Sequence, residues 1–153
     1  MSDRLFFFQE KKQMSKTINI EDFFTEDNEK SGIWFEPKIK GEGCGIELLV
    51  TGRGTDENVA GGERYDKARA EAEDIKDPIE KAKKQRELFA NRVAEFVKGI
   101  RPAKDSELKY DGKPIEYSVP LIQKLLLKSP LITMQVYDFV TDTANFIKRE
   151  KNA

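Results

Sequence analysis

The sequence contains no histidine. That removes the Ser-His-Asp and Cys-His nucleophile systems and every imidazole metal ligand. It has a single cysteine, Cys44. No disulfide can form within the chain, and a reducing cytoplasm is its simplest home. No run approaches the ~18 apolar residues of a membrane span, and Leu5-Phe6-Phe7-Phe8 is too short for a signal-peptide core. Basic excess is also missing: 27 Lys and Arg face 28 Asp and Glu, a net charge of −1. The basic face that binding to a duplex backbone usually needs therefore has no support in the totals. Nucleotide-binding glycine motifs are absent too: there is no GxxxxGK[ST], and no GxGxxG lies between a strand and a helix. The acidic stretch from Asp56 fails as an EF-hand, with Ala60 at the fifth position and Lys67 at the twelfth.

What is present is charge of both signs and a dense hairpin signal. Charged residues make up 36% of the chain, against a usual ~25%. At 153 residues the chain reads as one domain, able to bury roughly 70% of its unfolded surface. Gly32 to Gly52 holds the only tryptophan, Trp34, together with Cys44. The runs WFEPKI and IELLVT suit a pleated, half-buried surface. Lys40-Gly41-Glu42-Gly43 between them supplies turn residues, so a β-hairpin is predicted. Cys44, Ile46, Leu48 and Val50 share one face, which the following helices must cover. Pro37 lacks an amide donor and places the first strand at an edge or a bulge.

The rest of the chain alternates short apolar clusters with charged segments. Ile18 to Phe24 reads as a short strand or a helical turn, and Thr25 to Ser31 as a polar linker. Phe23 and Phe24 have two readings, core plugs or partner contacts. Arg53 to Asn58 reads as a loop, with Gly61 and Gly62 serving turn geometry. Helix is predicted over Glu63–Ile75, then from Asp77-Pro78, a cap followed by Pro at the first helical position, to about Lys98. Asp111-Gly112 marks a second small hairpin. Ser118 caps a helix over Val119–Lys128, and Ser129-Pro130 opens a last helix to about Lys148. The fold class is α+β, an N-terminal β-hairpin packed on a mainly helical body with a second small hairpin. Residues 1–31 are a flexible arm and linker, 32–149 a single domain, and 150–153 a frayed tail. Met14 reads as a second start. Residues 1–13 are then either an upstream extension or an arm whose Phe6, Phe7 and Phe8 dock on another subunit.

Catalytic chemistry has little footing here. Acid–base work needs a desolvated carboxyl, and Asp142 comes closest, although Thr141 and Thr143 give it polar company. Cys44 reads as a small buried hydrophobe, since a reactive thiolate would need Lys, Arg or a helix N-terminus beside it. No enzyme activity, cofactor or metal is expected.

The order of elements resembles the tail assembly chaperones of long-tailed bacteriophages. The residues that carry the resemblance are Gly32 to Phe35 (GIWF), Glu47 to Gly52 (ELLVTG) and Glu63 to Arg69 (ERYDKAR). Gly112 to Ser118 (GKPIEYS), Leu125 to Pro130 (LLLKSP) and the final helix to Ile147 continue it. The similarity spans about residues 32–148. Many members carry a Trp before the Asp-Gly turn, where this chain has Ile100-Arg-Pro-Ala-Lys. The resemblance implies a non-enzymatic binding protein of the host cytoplasm that coats the tape measure protein and helps bring in the tail tube protein. It implies a homo-oligomer, with no nucleic acid and no membrane among its partners. Candidate contacts are Phe6, Phe7, Phe8, Phe23, Phe24, Trp34 and Phe35. A minor structural subunit of a tail or head–tail joint is the alternative, and an enzyme subunit without its own site is a third reading. Members of the family often exist in two lengths through a −1 frameshift. Glu150-Lys151-Asn152 can be encoded by a slippery heptamer, although an ordinary frayed end fits equally.

Overall fold

The computed structural model describes residues 17–147. Phe6, Phe7, Phe8, Met14 and the tail from residue 150 lie outside the described residues.

The expected hairpin forms, and its tip pairs separately from its base. Strands β1 (Ile33–Phe35) and β4 (Ile46–Val50) pair antiparallel, with Ile33 opposite Val50 and Phe35 opposite Leu48. At the tip, β2 (Lys38–Ile39) pairs with β3 (Glu42–Gly43). Lys40 and Gly41 both take positive φ, 53° and 82°. Positive φ at both central residues is the type I′ signature, whose twist matches that of the flanking strands. Pro37 lies buried between β1 and β2, and its carbonyl accepts from the Cys44 amide.

A third strand joins this sheet where helix was expected. Helix ends at Ala94, and β5 (Val97–Pro102) pairs antiparallel with β4, giving the order β1-β4-β5. Phe96, Val97 and Ile100 fit a helical stripe by spacing alone, but Gly99 and Pro102 oppose helix, and Val97 and Ile100 suit strand. A register shift beside Val50 lets both Val97 and Ile100 face inward. The second small hairpin is β6 (Lys109–Tyr110) and β7 (Lys113–Pro114), turning on Asp111-Gly112 as predicted.

Five α-helices are seen among the described residues. Helix α1 (Glu26–Ser31) replaces the expected linker. It is held to the body, since the Asn28 amide donates to the Phe146 carbonyl and the Glu29 carbonyl accepts from the Gly52 amide. Helix α2 (Asp56–Ala72) starts one turn and more before the expected Glu63. The Thr55 side chain caps it by accepting from the Asn58 amide, and Asp56 and Glu57 complement the helix dipole. Helix α3 (Pro78–Ala94) opens on the Asp77 cap, and α4 (Val119–Lys128) on the Ser118 cap, both as predicted. Helix α5 (Pro130–Thr141) stops short of Lys148. Asp142 leaves helical geometry and caps a 3-10 turn, Thr143–Phe146, that carries Phe146 into the core.

That core lies between the inner face of the sheet, Leu48 and Val50, and the helices α3, α4 and α5, through Val93, Ile122, Leu126, Val136 and Val140. The result is the α+β architecture expected, a small antiparallel sheet covered on one face by helices.

Gly61 and Gly62 sit inside α2, not in a turn, and each costs about 1 kcal/mol relative to alanine there. The reason is a close approach. The Arg92 guanidinium lies 4.4 Å from the Phe96 ring centroid, and its Nη2 donates to the Asn58 carbonyl at 2.9 Å. A Cβ on Gly61 would stand 2.6 Å from Arg92 Nη1. Gly61→Ala should therefore lose stability by about 1 kcal/mol despite better helix propensity, the broken hydrogen bond outweighing the gain. Urea unfolding checks this, and a stabilised variant would show that Arg92 moves aside freely.

Candidate interaction surfaces

The polar groups that could have carried chemistry are engaged in holding the fold. Asp142, the carboxylate closest to a catalytic setting in the sequence, is exposed and accepts from the Ala144 amide as a cap. Cys44 is half-buried, with Sγ directed at the Ile46 carbonyl at 3.6 Å. Lys98 beside Glu57 and Lys81 beside Glu73 hold those surface carboxyls below their ordinary range, and Tyr110 pushes the Lys124 ammonium up. Each shift favours the charged form, the reverse of what a carboxyl needs to act as a general acid near neutrality. Among the described residues no three His, Cys, Asp or Glu are placed to hold a metal ion. The cleft at Glu26, Glu29, Asp56 and Glu57 is a structural seam: Glu29 accepts from the Thr25 hydroxyl and the Gly54 amide, and Glu57 pairs with Lys98 at 2.7 Å.

The aromatic candidates separate into two groups. Phe23 and Phe24 are 61% and 63% exposed, and the core reading of them fails. They close a row with Ile18 and Ile20, which are more exposed still, on and beside a 3-10 turn (Ile20–Phe23) that has no buried residue. Such contiguous exposure of large apolar side chains marks an interaction surface more than an ordinary patch of protein exterior. Phe35, by contrast, turns inward and stacks on Phe139, with ring centroids 4.5 Å apart.

Trp34 takes the opposite face of the sheet from Phe35, as strand periodicity requires. It lies half-buried across Leu49 and Gly99, with the Arg101 guanidinium 3.9 Å from its ring and Glu47 pairing that Arg at 2.7 Å. Of these two adjacent aromatic candidates, Phe35 alone packs against the helices. Trp34→Ala should cost only about 1–2 kcal/mol, and Phe35→Ala about twice that, both below or within the range for fully buried rings. Thermal denaturation of the two variants side by side tests the order.

Two further surfaces stand apart from the aromatic candidates. Leu127, Leu131 and Met134 form an exposed apolar stripe across the α4–α5 joint. Leu126, Ile132 and Phe146 of the same segments are buried. Beside the stripe, the Gln135 amide both accepts from the Lys38 amide and donates to the Lys38 carbonyl, each at 2.7 Å. One side chain thereby occupies the open edge of β2, as a neighbouring strand would. The second surface is a cleft between α2, α3 and α5 lined by three arginines, aromatic rings and one carboxylate, Asp66. Its residues come from distant parts of the chain, so no local pattern announces it.

Comparisons with known protein families, with curated proteins and with solved structures return no match for this chain.

Proposed function

We propose that this protein is a non-enzymatic tail assembly chaperone of a long-tailed bacteriophage, acting in the host cytoplasm on the tape measure protein and assisting addition of the tail tube protein. The observation that supports a binding role best is the exposed row Ile18, Ile20, Phe23 and Phe24 on a folded body. The phage assignment rests on the resemblance across residues 32–148. Covering one large apolar side chain is worth about 1.5–3 kcal/mol before association costs. A row of four therefore gives binding that holds a client yet lets it go. A long helical client would lay its apolar stripe along such a row. The Leu127–Leu131–Met134 stripe offers a second contact, for self-association.

Co-expression with the tape measure protein provides the test. The client should stay soluble with the wild-type chain and precipitate with Phe23→Ser/Phe24→Ser, whose circular dichroism should be unchanged because both side chains are exposed. Mass spectrometry of purified particles should find the protein absent. A fixed copy number in finished particles would reject the chaperone and leave a minor structural subunit.

A further inference from the structure

Two surfaces of this chain complement each other in charge and apolar character. The first is residues 18–27, INIEDFFTED. Beside its four exposed apolar side chains it carries Glu21, Asp22, Glu26 and Asp27, with no Lys or Arg from residue 17 through 29. The second is the cleft between α2, α3 and α5, about 310 Å³ in volume. Phe89 of α3 and Tyr137 of α5 form its aromatic wall, with ring centroids 5.2 Å apart. Arg69 of α2 lies 5.7 Å from the Tyr65 ring centroid, and Arg53 comes from the loop after β4. Arg53 and Arg69 are exposed, and neither makes an ion pair among the described residues; one carboxylate, Asp66, also lines the cleft, which leaves the arginines in excess.

The cleft selects its occupant by size and charge. It sits at the bottom of the roughly 300–1,000 Å³ typical of small-molecule pockets, which is room for one or two side chains. A guanidinium grips a carboxylate through two parallel hydrogen bonds, and an aromatic wall favours an aromatic or aliphatic neighbour. The occupant therefore has aromatic side chains adjacent to carboxylates, which is the composition of residues 18–27.

We propose that residues 18–27 of one copy dock into the Arg53–Arg69 cleft of a second copy, with Phe23 and Phe24 against Phe89 and Tyr137 and the neighbouring carboxylates on the two arginines. The donor and acceptor surfaces differ, so the contact is head-to-tail and adds copies until a ring closes or growth stops. An interface this small, below about 1,200 Å², is weak and exchangeable. Its ion pairs lie at the surface, so salt loosens it. The inference rests on the self-association part of the function proposed above, at a surface other than the Leu127–Leu131–Met134 stripe, and it shares Phe23 and Phe24 with the proposed client contact, so copy and client compete for them.

Sedimentation velocity of the full chain over a concentration series at low salt tests it with two charge-reversal variants. One carries Arg53→Glu and Arg69→Glu, the other Glu21→Lys and Asp22→Lys; all four side chains are exposed, so folding should survive. The wild type should associate, and each variant alone should associate at least tenfold more weakly. An equimolar mixture of the two should associate more strongly than either variant alone, because one junction keeps a native segment facing a native cleft and the next sets the reversed, basic segment against the reversed, acidic cleft. Wild-type association unaffected by either variant, a mixture that stays monomeric, or a wild type monomeric throughout would each overturn the proposal. So would an arginine variant that loses the client yet self-associates normally, since the cleft would then belong to the client. Client capture by self-association-defective variants leaves the chaperone reading standing. Intact head-to-tail association with no client capture rejects that reading alone.

Discussion

Phe146→Ala should lower the unfolding free energy by about 3–5 kcal/mol, the range for removing a fully buried ring. Phe146 has no exposed surface. Its ring meets Phe139 edge-on at 5.9 Å, and Phe139 stacks on Phe35 at 4.5 Å. These three rings connect the C-terminal turn, α5 and β1. The Phe146 carbonyl also accepts from Asn28 of α1 at 3.0 Å, so the turn anchors α1 as well. Truncation leaves a cavity that neighbours on three elements cannot fill together. For a domain of this size the expected loss moves the melting temperature by roughly 8–15 °C. Phe146→Leu keeps most of the volume and should cost about 1–1.5 kcal/mol. Amide exchange in α1 should quicken in the alanine variant. A loss below about 1 kcal/mol would show that the turn frays away from the body and that the ring chain ends at Phe139.

The elements most legible in the sequence are those with a local chemical marker. Asp77-Pro78 and Ser118 gave the starts of α3 and α4, and the glycine turns at Gly41 and Gly112 gave two hairpins. Each is decided within a few residues. The third strand was not legible, because Phe96, Val97 and Ile100 serve equally as a helical stripe, and pairing with β4 is a long-range event. The start of α2 was not legible, because Gly61-Gly62 has the composition of a turn, and the need for glycine there comes from Arg92, about thirty residues on. The early stop of α5 depends on Asp142 capping the next turn, and apolar periodicity runs straight through that change.

Much the same division holds for the candidate surfaces. That Trp34 and Phe35 face opposite ways follows from strand geometry, but which of them meets the helices depends on the covering elements. Phe23 and Phe24 belong to the core by composition. Their exposure follows from where the 3-10 turn sits relative to a body already closed by Phe35, Phe139 and Phe146. The arginine cleft was invisible in sequence because Arg53, Arg69, Phe89 and Tyr137 are brought together from a loop and three helices.

The second large effect is expected at Asn58, which is 1% exposed. Its Nδ2 donates to the Thr51 hydroxyl at 2.9 Å and to the Gly52 carbonyl at 2.6 Å, and the Thr51 hydroxyl donates onward to the Phe96 carbonyl. This joins the start of α2 to the chain leaving β4 and the residue before β5. Asn58 Oδ1 has no hydrogen-bond partner among the described residues. Asn58→Ala removes two bonds together with that unpartnered oxygen, and should cost about 1–3 kcal/mol. Asn58→Asp replaces the donor by an acceptor facing two acceptors, with a charge added, and should cost about 3–5 kcal/mol near neutrality. Arg92, bonded to the Asn58 carbonyl and paired with Glu95, is already engaged. The pH dependence separates the two variants. Burial among acceptors raises the folded pKa of the introduced carboxyl above its unfolded value of about 3.9. Between those two values the folded state binds more protons than the unfolded state, so stability relative to wild type falls as pH rises. The aspartate penalty should therefore shrink on acidification toward pH ~4, where the protonated carboxyl regains a donor for Gly52 or Thr51, while the alanine penalty stays level. Urea denaturation of both variants at pH 7 and pH 4.5 measures the difference. Equal penalties at the two pH values would mean that the carboxyl is solvated, and that the Asn58 network opens to water in the native protein.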